Sequence, residues 1–474
     1  MHRSCLGFGL RNYQQSTSAT RSSELQRTKK PNFLVVSKQE LATRNNNSLL
    51  EEANYFRRKW PCYEDRTSKA YSMEQANNTP EPDALVPWLQ PSTDFMIDVV
   101  DRLVNGDGYV VIPGVLTVEE ADEELDRMWG FVEKVSPSID RNDPSSWYPL
   151  DDSSEDPWPH TQKDRFQLYQ AGWLFNDLRE KLAGRVFEPL YGTRELHCSK
   201  DGFTFHRPTG PTKTSDGSAS FEPPRFMKGP RHQGTCDEHF DQGAAVRGLQ
   251  CIQGSVSLLD QSEGDGCFLC WPRSHQQHGA MMDAREAEAK VGSSKARFGG
   301  SQYYVPLTKH ELAGLARGDF GGEPGEFMVR RVPVKKGDVV LWRSDLVHAG
   351  GAPSGPLKSK TARCSNGGDG NSSSDNEVGT GSFRAVVYVC MAPAALTPDS
   401  VYEEKRHAYD RIVSAGHWPG REDWFEPRDR PSRNAYWTSP PRLTERQAEL
   451  YGLTRYKCIG GDGSMDERET KRHE

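Results

Sequence analysis

Apolar residues in the middle of this chain come in short blocks that alternate with polar residues or run unbroken for a few positions, set between Gly, Pro, Asn and Asp. Blocks of that length and spacing predict β-strands. Tyr109-Val110-Val111-Ile112, closed by Pro113-Gly114, is one. Gly248 to Asp260 is another, followed by the Gly-rich turn Glu263-Gly264-Asp265-Gly266 and then by Cys267 to Trp271. Gly337 to Trp342, Gly381 to Pro393 and Asp201 to Pro208 have the same character, the last running into a polar stretch from Thr209 to Pro224. Helical signals are fewer. Thr117 with Glu120 three residues on forms a capping-box pattern that opens a helix over Val118 to Val135. Further helices are predicted at Ala171 to Val186 and near Leu443 to Tyr451, where Thr444 caps a run ending at Gly452.

Composition limits how much of the length these elements fill. A chain of 474 residues has room for two or three domains, but a mean hydropathy of −0.78 and 35% hydrophobic residues imply that much of it is not core. Residues 1–85 are rich in Ser, Thr, Asn and Arg and read as a disordered N-terminal region; 86–455 read as one folded unit and 456–474 as a disordered tail. Inside the folded unit, the Gly, Ser, Asn and Asp of about 355–380 read as a low-complexity insertion between two strands. The basic, Ser-rich start, with no acid before Glu24, has the composition of an organellar transit peptide but no apolar face, so a disordered tail is expected. No apolar run reaches the length of a membrane span, and the terminal Lys471-Arg472-His473-Glu474 is no peroxisomal address. An intracellular, cytoplasmic, soluble protein is the expectation, with no membrane partner and the oligomeric state left open. Net charge −7 and a pI near 6.1 carry no footprint for nucleic acid. Arg330-Arg331 and Lys335-Lys336 read as a solvated edge. Ten scattered cysteines point to reduced thiols, and Cys267-x-x-Cys270, without a second pair at zinc spacing, points to packing.

The chemistry enters with His239-Phe240-Asp241 and, far downstream, His348. Residues i and i+2 of a strand share a face, so His239 and Asp241 can converge on one ion while Phe240 turns away. Two imidazoles and one carboxylate hold Fe(II) on one side and leave the other side open. His348 lies a few residues past the strand predicted at Gly337 to Trp342 and supplies the third group. His232, just upstream, is expected to be a loop residue. Strands with Gly/Pro turns, a strand-borne His-x-Asp and a later His fit a mainly β fold with flanking helices, a double-stranded β-helix (jelly roll, cupin-like) whose mouth holds the metal.

The order of these segments resembles the phytanoyl-CoA dioxygenase family of Fe(II)/2-oxoglutarate oxygenases: Asp107 to Ala121 as opening strand and helix, His239 and Asp241, a Gly turn, Pro272-Arg273-Ser274-His275, His348 and the strand from Arg384. Where that family typically has Pro-Gly-Ser-His, Arg273 replaces the glycine, which questions the turn geometry. The resemblance implies that Arg384 grips the distal carboxylate of 2-oxoglutarate, a role suited to a planar guanidinium. It also implies a polar side chain near the co-substrate from the strand after the metal pair, with Gln250 and Gln253 as candidates, and a site mouth near Trp271, Ser274 and His275. Lys358, Lys360 and Arg363 are weaker candidates for the grip, and Arg207 and Arg225 for an acidic substrate. The expected activity is a 2-oxoglutarate-dependent dioxygenase that hydroxylates a small organic substrate with O2 and releases succinate and CO2. The intact Asp241 favours hydroxylation over halogenation, because related halogenases lack that carboxylate. Two alternatives stay open: a non-catalytic metal- or ligand-binding jelly-roll protein, and a cupin-type metalloenzyme that does not use 2-oxoglutarate.

Overall fold

Alternation of apolar and polar residues builds two antiparallel sheets whose facing sides differ in character from their backs. The computed structural model describes residues 83–161, 163–167, 170–213, 220–224, 238–243, 246–290, 304–353, 382–421, 424–425 and 433–457. Residues 1–82, the insertion at 355–380, the tail from 458, and His232, Arg225, Lys358, Lys360 and Arg363 lie outside the described residues. All described residues belong to one compact unit, Asn78–Glu474.

In chain order the strands are β1 (Tyr109–Ile112), β2 (Arg165–Phe166), β3 (Leu196–Cys198), β4 (Phe203–His206), β5 (Thr212–Lys213), β6 (Ser220–Phe221), β7 (His239–Phe240) and β8 (Ile252–Ser257). They continue as β9 (Phe268–Cys270), β10 (Val305–Pro306), β11 (Arg330–Val332), β12 (Val339–Arg343), β13 (His348–Gly350), β14 (Arg384–Pro393), β15 (Ser414–Ala415) and β16 (Trp424–Phe425). The larger, seven-stranded sheet runs β1-β12-β8-β14-β4-β2, with β3 also on β14. The smaller, five-stranded sheet runs β10-β7-β13-β9-β11.

On the larger sheet, Phe203, Phe205, Ile252, Val256, Val339, Leu341, Val387 and Val389 form the outer face. Helices α1 (Asp94–Val104), α2 (Val118–Val135), α3 (Asn176–Leu182), α4 (Glu188–Tyr191) and α8 (Glu445–Leu450) bury their apolar stripes against it. The alternate residues face inward, and many are polar: Gln253, Ser255 and Ser257 on β8, Thr204 and His206 on β4, Arg384 on β14, all buried. Between the sheets, Val340 and Trp342 of β12 meet Phe268 and Cys270 of β9 in a small apolar cluster, with Trp342 and Phe268 ring centroids 4.8 Å apart. The back of the smaller sheet is covered by Met281 and Met282 of α5 (His278–Lys290) and Leu315 of α6 (Lys309–Arg317), which pack on Phe240, Val305 and Val347. Two facing antiparallel sheets with helices outside both are the double-stranded β-helix expected from sequence.

Local detail departs from expectation in places. The α2 capping box is present as read, Thr117 Oγ1 accepting from the Glu120 amide. The helix expected over Ala171 to Val186 is broken: Ala171–Trp173 is a 3-10 turn, α3 follows, and Ala183–Phe187 winds as a π-turn before α4. Gly172 packs so close that a Cβ there would lie 2.0 Å from the Lys200 carbonyl oxygen, and Trp173 Nε1 donates to Val413 O; these tertiary ties interrupt the periodic pattern. Three well-formed helices were not anticipated, α5, α6 and α7 (Asp399–Asp410). Cys267 and Cys270 are buried free thiols, as packing residues should be. The basic edge is as expected in part: Arg330 is exposed and pairs with Asp107, and Lys335 and Lys336 pair with Asp260 and Asp122, but Arg331 is half-buried and donates to the backbone carbonyls of Asp265 and Ala352.

Candidate metal centre

β7 is short because its neighbours, not its length, hold it. Val305 and Pro306 pair with Phe240 and His239 on one side, and His348 pairs with His239 on the other. Asp241 falls just past the strand end, where its backbone N–H donates to Ser344 O at 3.0 Å. His348 does not trail from β12, as the spacing implied; it opens its own strand, β13, in the smaller sheet. The segment Ser344 to Val347 carries the chain from one sheet to the other, so His348 arrives directly opposite His239.

The result is one buried cluster of His239, Asp241 and His348, each offering a ligand atom within 4.8 Å of the others, and it is the one such group among the described residues. His239 Nε2 lies 3.5 Å from Asp241 Oδ1, and His348 Nε2 lies 3.2 Å from Asp241 Oδ2. His348 Nδ1 is 2.9 Å from Leu346 O, a contact that calls for the proton on Nδ1 and leaves the Nε2 lone pair facing the carboxylate. Burial penalises the Asp241 charge, yet His417, His239 and His348 together hold its carboxyl well below the usual range. Burial, then the neighbouring His239, lowers the His348 imidazole below its ordinary value, against the opposing pull of Asp241. Neutral imidazoles and an ionised carboxylate are the protonation states a divalent metal needs. The donor set fits Fe(II).

Around the triad stand residues that sequence reasoning placed differently or missed. Gln253 Nε2 donates to Asp241 Oδ2 at 2.9 Å. Gln250 instead precedes β8 and turns its amide to Arg247 O at 2.9 Å; of the two glutamines, the structure sets Gln253 beside the metal ligands. The Trp342 ring is tilted 50° to that of His348 with centroids 5.3 Å apart, and the Tyr304 ring centroid lies 4.6 Å from that of His239. His417, from the segment after β15, bears on Asp241; no short motif marks it, because about 70 residues separate it even from His348.

Ser274 and His275 do not line an open mouth. Ser274 Oγ accepts from the Val347 amide and thereby braces the loop into His348, while His275 is buried against Gly108. Arg273 adopts φ 66° and ψ −2°, the left-handed turn that a glycine would take freely, and pairs with Glu326 at 2.6 Å. The turn is thus kept without the glycine. Arg207 is no substrate contact either: it is buried between Asp156 and Asp164, at 2.8 and 2.7 Å.

Arg384 opens β14 and is buried, facing inward. Its Nε reaches Gln261 Oε1 at 3.4 Å, and among the described residues it has no carboxylate partner. A Cβ added to Gly266 would lie 3.3 Å from Arg384 Cδ and 3.4 Å from Gly351 O, so the arginine lies against the end of the strand that His348 opens. His206, paired with Arg384 in register, is pushed down to about 3 by burial and then by Arg384, so it stays neutral and does not compete for an anion. An unneutralised buried guanidinium is a costly feature unless an anion completes it.

Comparison with known proteins finds the following similarities. A family model described as phytanoyl-CoA dioxygenase (PhyH) matches residues 220–357. A Dictyostelium discoideum protein named "Putative phytanoyl-CoA dioxygenase" is 22% identical over 263 residues, 51% of this chain and 67% of that protein. Among solved structures, the non-heme alpha-ketoglutarate-dependent epimerase SnoN from nogalamycin biosynthesis aligns with 72% of this chain and 97% of its own, at 15% identity and a TM-score of 0.32. EctD from S. alaskensis with 2-oxoglutarate and 5-hydroxyectoine aligns with 67% of this chain and 81% of its own, at 13% identity and a TM-score of 0.34. No helix among the described residues is long and apolar enough to cross a membrane. Arg384 lies beyond the matched segment, whereas His239, Asp241 and His348 all fall inside it, so the part of the chain that is similar to the phytanoyl-CoA dioxygenase family is the part that holds the His-Asp-His cluster.

Proposed function

We propose that this protein is an Fe(II)- and 2-oxoglutarate-dependent dioxygenase that hydroxylates a small organic substrate. The observation that carries the reading is the buried convergence of His239, Asp241 and His348 on one point, with Arg384 buried in the same interior and without a carboxylate partner among the described residues. Bound iron, with 2-oxoglutarate and O2, would supply the oxidising power, one oxygen atom going to the substrate and the other to the succinate that forms with CO2.

The chain's own residues supply position and exclusion. His239 and His348 hold the metal from adjacent strands of one sheet, and Asp241 closes the third side. That leaves the opposite side open. Arg384 offers a charge-assisted, bidentate grip to the far carboxylate of the co-substrate. Phe268, Trp342 and Val340 wall the interior with apolar surface and keep bulk water from the reacting centre.

The test needs no substrate. Fe(II) and 2-oxoglutarate are added to the protein without oxygen, the visible charge-transfer absorbance is followed, and succinate is measured once oxygen is admitted. Absorbance that requires both additions, followed by slow succinate release, is expected. Metal binding with no absorbance on adding 2-oxoglutarate would favour a metalloenzyme that does not use that co-substrate; no metal binding at all would favour a ligand-binding jelly roll.

A further inference from the structure

Gln253 is the one inner-face residue of β8 that touches a metal ligand by a side-chain hydrogen bond. Its Nε2 donates to Asp241 Oδ2 at 2.9 Å. A carboxylate can only accept, so the nitrogen end of the amide must face Asp241, and the oxygen end must face away. Oε1 is buried and has no hydrogen-bond partner among the described residues. A group that leaves one end unsatisfied to keep the other on a carboxylate is placed for that carboxylate.

The contacts around Asp241 sharpen the point. The backbone is fixed by the Ser344 carbonyl, so the remaining freedom is rotation of the carboxylate itself. Asp241 Oδ1 lies 3.5 Å from His239 Nε2, and Oδ2 lies 3.2 Å from His348 Nε2 and accepts the Gln253 hydrogen bond. A metal ion would take both imidazole lone pairs to itself. His417 acts on the carboxylate as a whole, whereas the Gln253 bond is directed at Oδ2 and so distinguishes one oxygen from the other. Trp342 lies directly across from Gln253 in the β12–β8 register, its ring tilted 50° to that of His348.

We infer that Gln253 is a positioning residue that holds back Asp241 Oδ2 and so restricts Asp241 to one-oxygen coordination, keeping open the positions that 2-oxoglutarate and O2 need. The inference rests on the proposed function. A carboxylate free to turn would bind through both oxygens and take up one of the open positions. Losing Gln253 would therefore weaken the co-substrate and spare the metal. A partner that merely holds the carboxylate in place for the metal would do the opposite on removal, costing metal affinity about tenfold or more.

The experiment uses the full chain with Gln253→Met, which keeps length and loses the donor, and Gln253→Leu, which keeps most of the bulk and offers no polar atom. Fe(II) affinity is measured without oxygen by competition with a chelator, and 2-oxoglutarate affinity by titrating the iron-loaded protein and following its visible absorbance. Thermal melts of the metal-free proteins check folding. The expected result in both variants is Fe(II) affinity unchanged or raised and 2-oxoglutarate affinity down by about tenfold, the scale seen when groups around metal ligands are altered. Loss of Fe(II) affinity with 2-oxoglutarate unaffected, a parallel loss of both, or no change in either would overturn the inference. If the unsubstituted protein binds neither Fe(II) nor 2-oxoglutarate, the proposed function fails and takes this inference with it, an outcome distinct from all the others. Should Gln253→Met melt far below the parent, Gln253→Leu decides.

Discussion

At the scale of single residues, the site divides into groups the sequence could number and groups it could not rank. His239, Asp241 and His348 were legible because a near pair and a distant histidine in strand-like text carry a donor set with a definite chemistry. The choice between Gln250 and Gln253 was not legible. The two are three apart, so they lie in opposite phases of a strand, and only the observed start of β8 at Ile252 settles which one faces the interior. Arg384 presents the sharpest expectation at this scale. Arg384→Lys keeps the charge but loses the fork, so 2-oxoglutarate affinity should fall about tenfold or more while Fe(II) affinity holds, and Arg384→Ala should weaken the co-substrate further. Equal 2-oxoglutarate affinities in parent and alanine variant would remove Arg384 from the co-substrate site.

Elements set where these residues can go. The Pro272-Arg273-Ser274-His275 turn keeps a left-handed residue without glycine, because the Arg273 N–H donates to Asp107 O and Ser274 N–H to Trp271 O on either side of it. A β-branched side chain tolerates that region poorly. Arg273→Val should therefore be less stable than Arg273→Gly by about 1–2 kcal/mol in denaturant unfolding; equal stabilities would mean that the turn relaxes. Gly254 sits mid-strand in β8 between β12 and β14, where a Cβ would lie 2.9 Å from Leu341 Cδ2 and 3.3 Å from two strand carbonyl oxygens. Gly254→Ala is expected to cost about 1–3 kcal/mol through overpacking, read as a lowered melting midpoint. The helices show a different limit. The pattern Thr308-x-x-Glu311 is a capping box in plain text, and it does open α6, so that helix was readable and overlooked. The break between the Ala171 turn and α3 was not readable, since Gly172 and Trp173 are held by Lys200 and Val413 from distant segments.

For the whole molecule, the buried histidines make a prediction that no single element could. Burial first, and then nearby cations, push His197 down to about 2, His206 to about 3 and His275 to about 4. Their ordinary value near 6.5 returns on unfolding, so between that value and the lowered ones the unfolded chain binds protons that the folded chain refuses. Stability must therefore fall as pH drops below about 6.5, before the carboxylate range is reached. Thermal melts of metal-free protein from pH 7.5 to 4.5 should show a midpoint declining from about 6.5 downward; a flat profile would mean these imidazoles gain protons without cost. Metal acts in the other direction. Binding at 100 times its dissociation constant adds about 2.7 kcal/mol, so Fe(II) added without oxygen should raise the midpoint, and His239→Ala or His348→Ala should abolish the rise.

By itself the sequence determined the chemistry on offer: the His-x-Asp with its distant His, the apolar strands around them, the capped α2 helix and the arginine heading the last long strand. Those are local signals, set by donor type, strand period and cap geometry, and they survive without knowing what lies opposite. Tertiary structure alone decided the rest. It placed His348 in the smaller sheet rather than at the end of β12, set Gln253 rather than Gln250 against Asp241, brought His417 to bear on Asp241 and left Arg384 buried without a carboxylate among the described residues. Each of these depends on which strand pairs with which, and on contacts between residues far apart in the chain, for which a single sequence holds no periodicity to read.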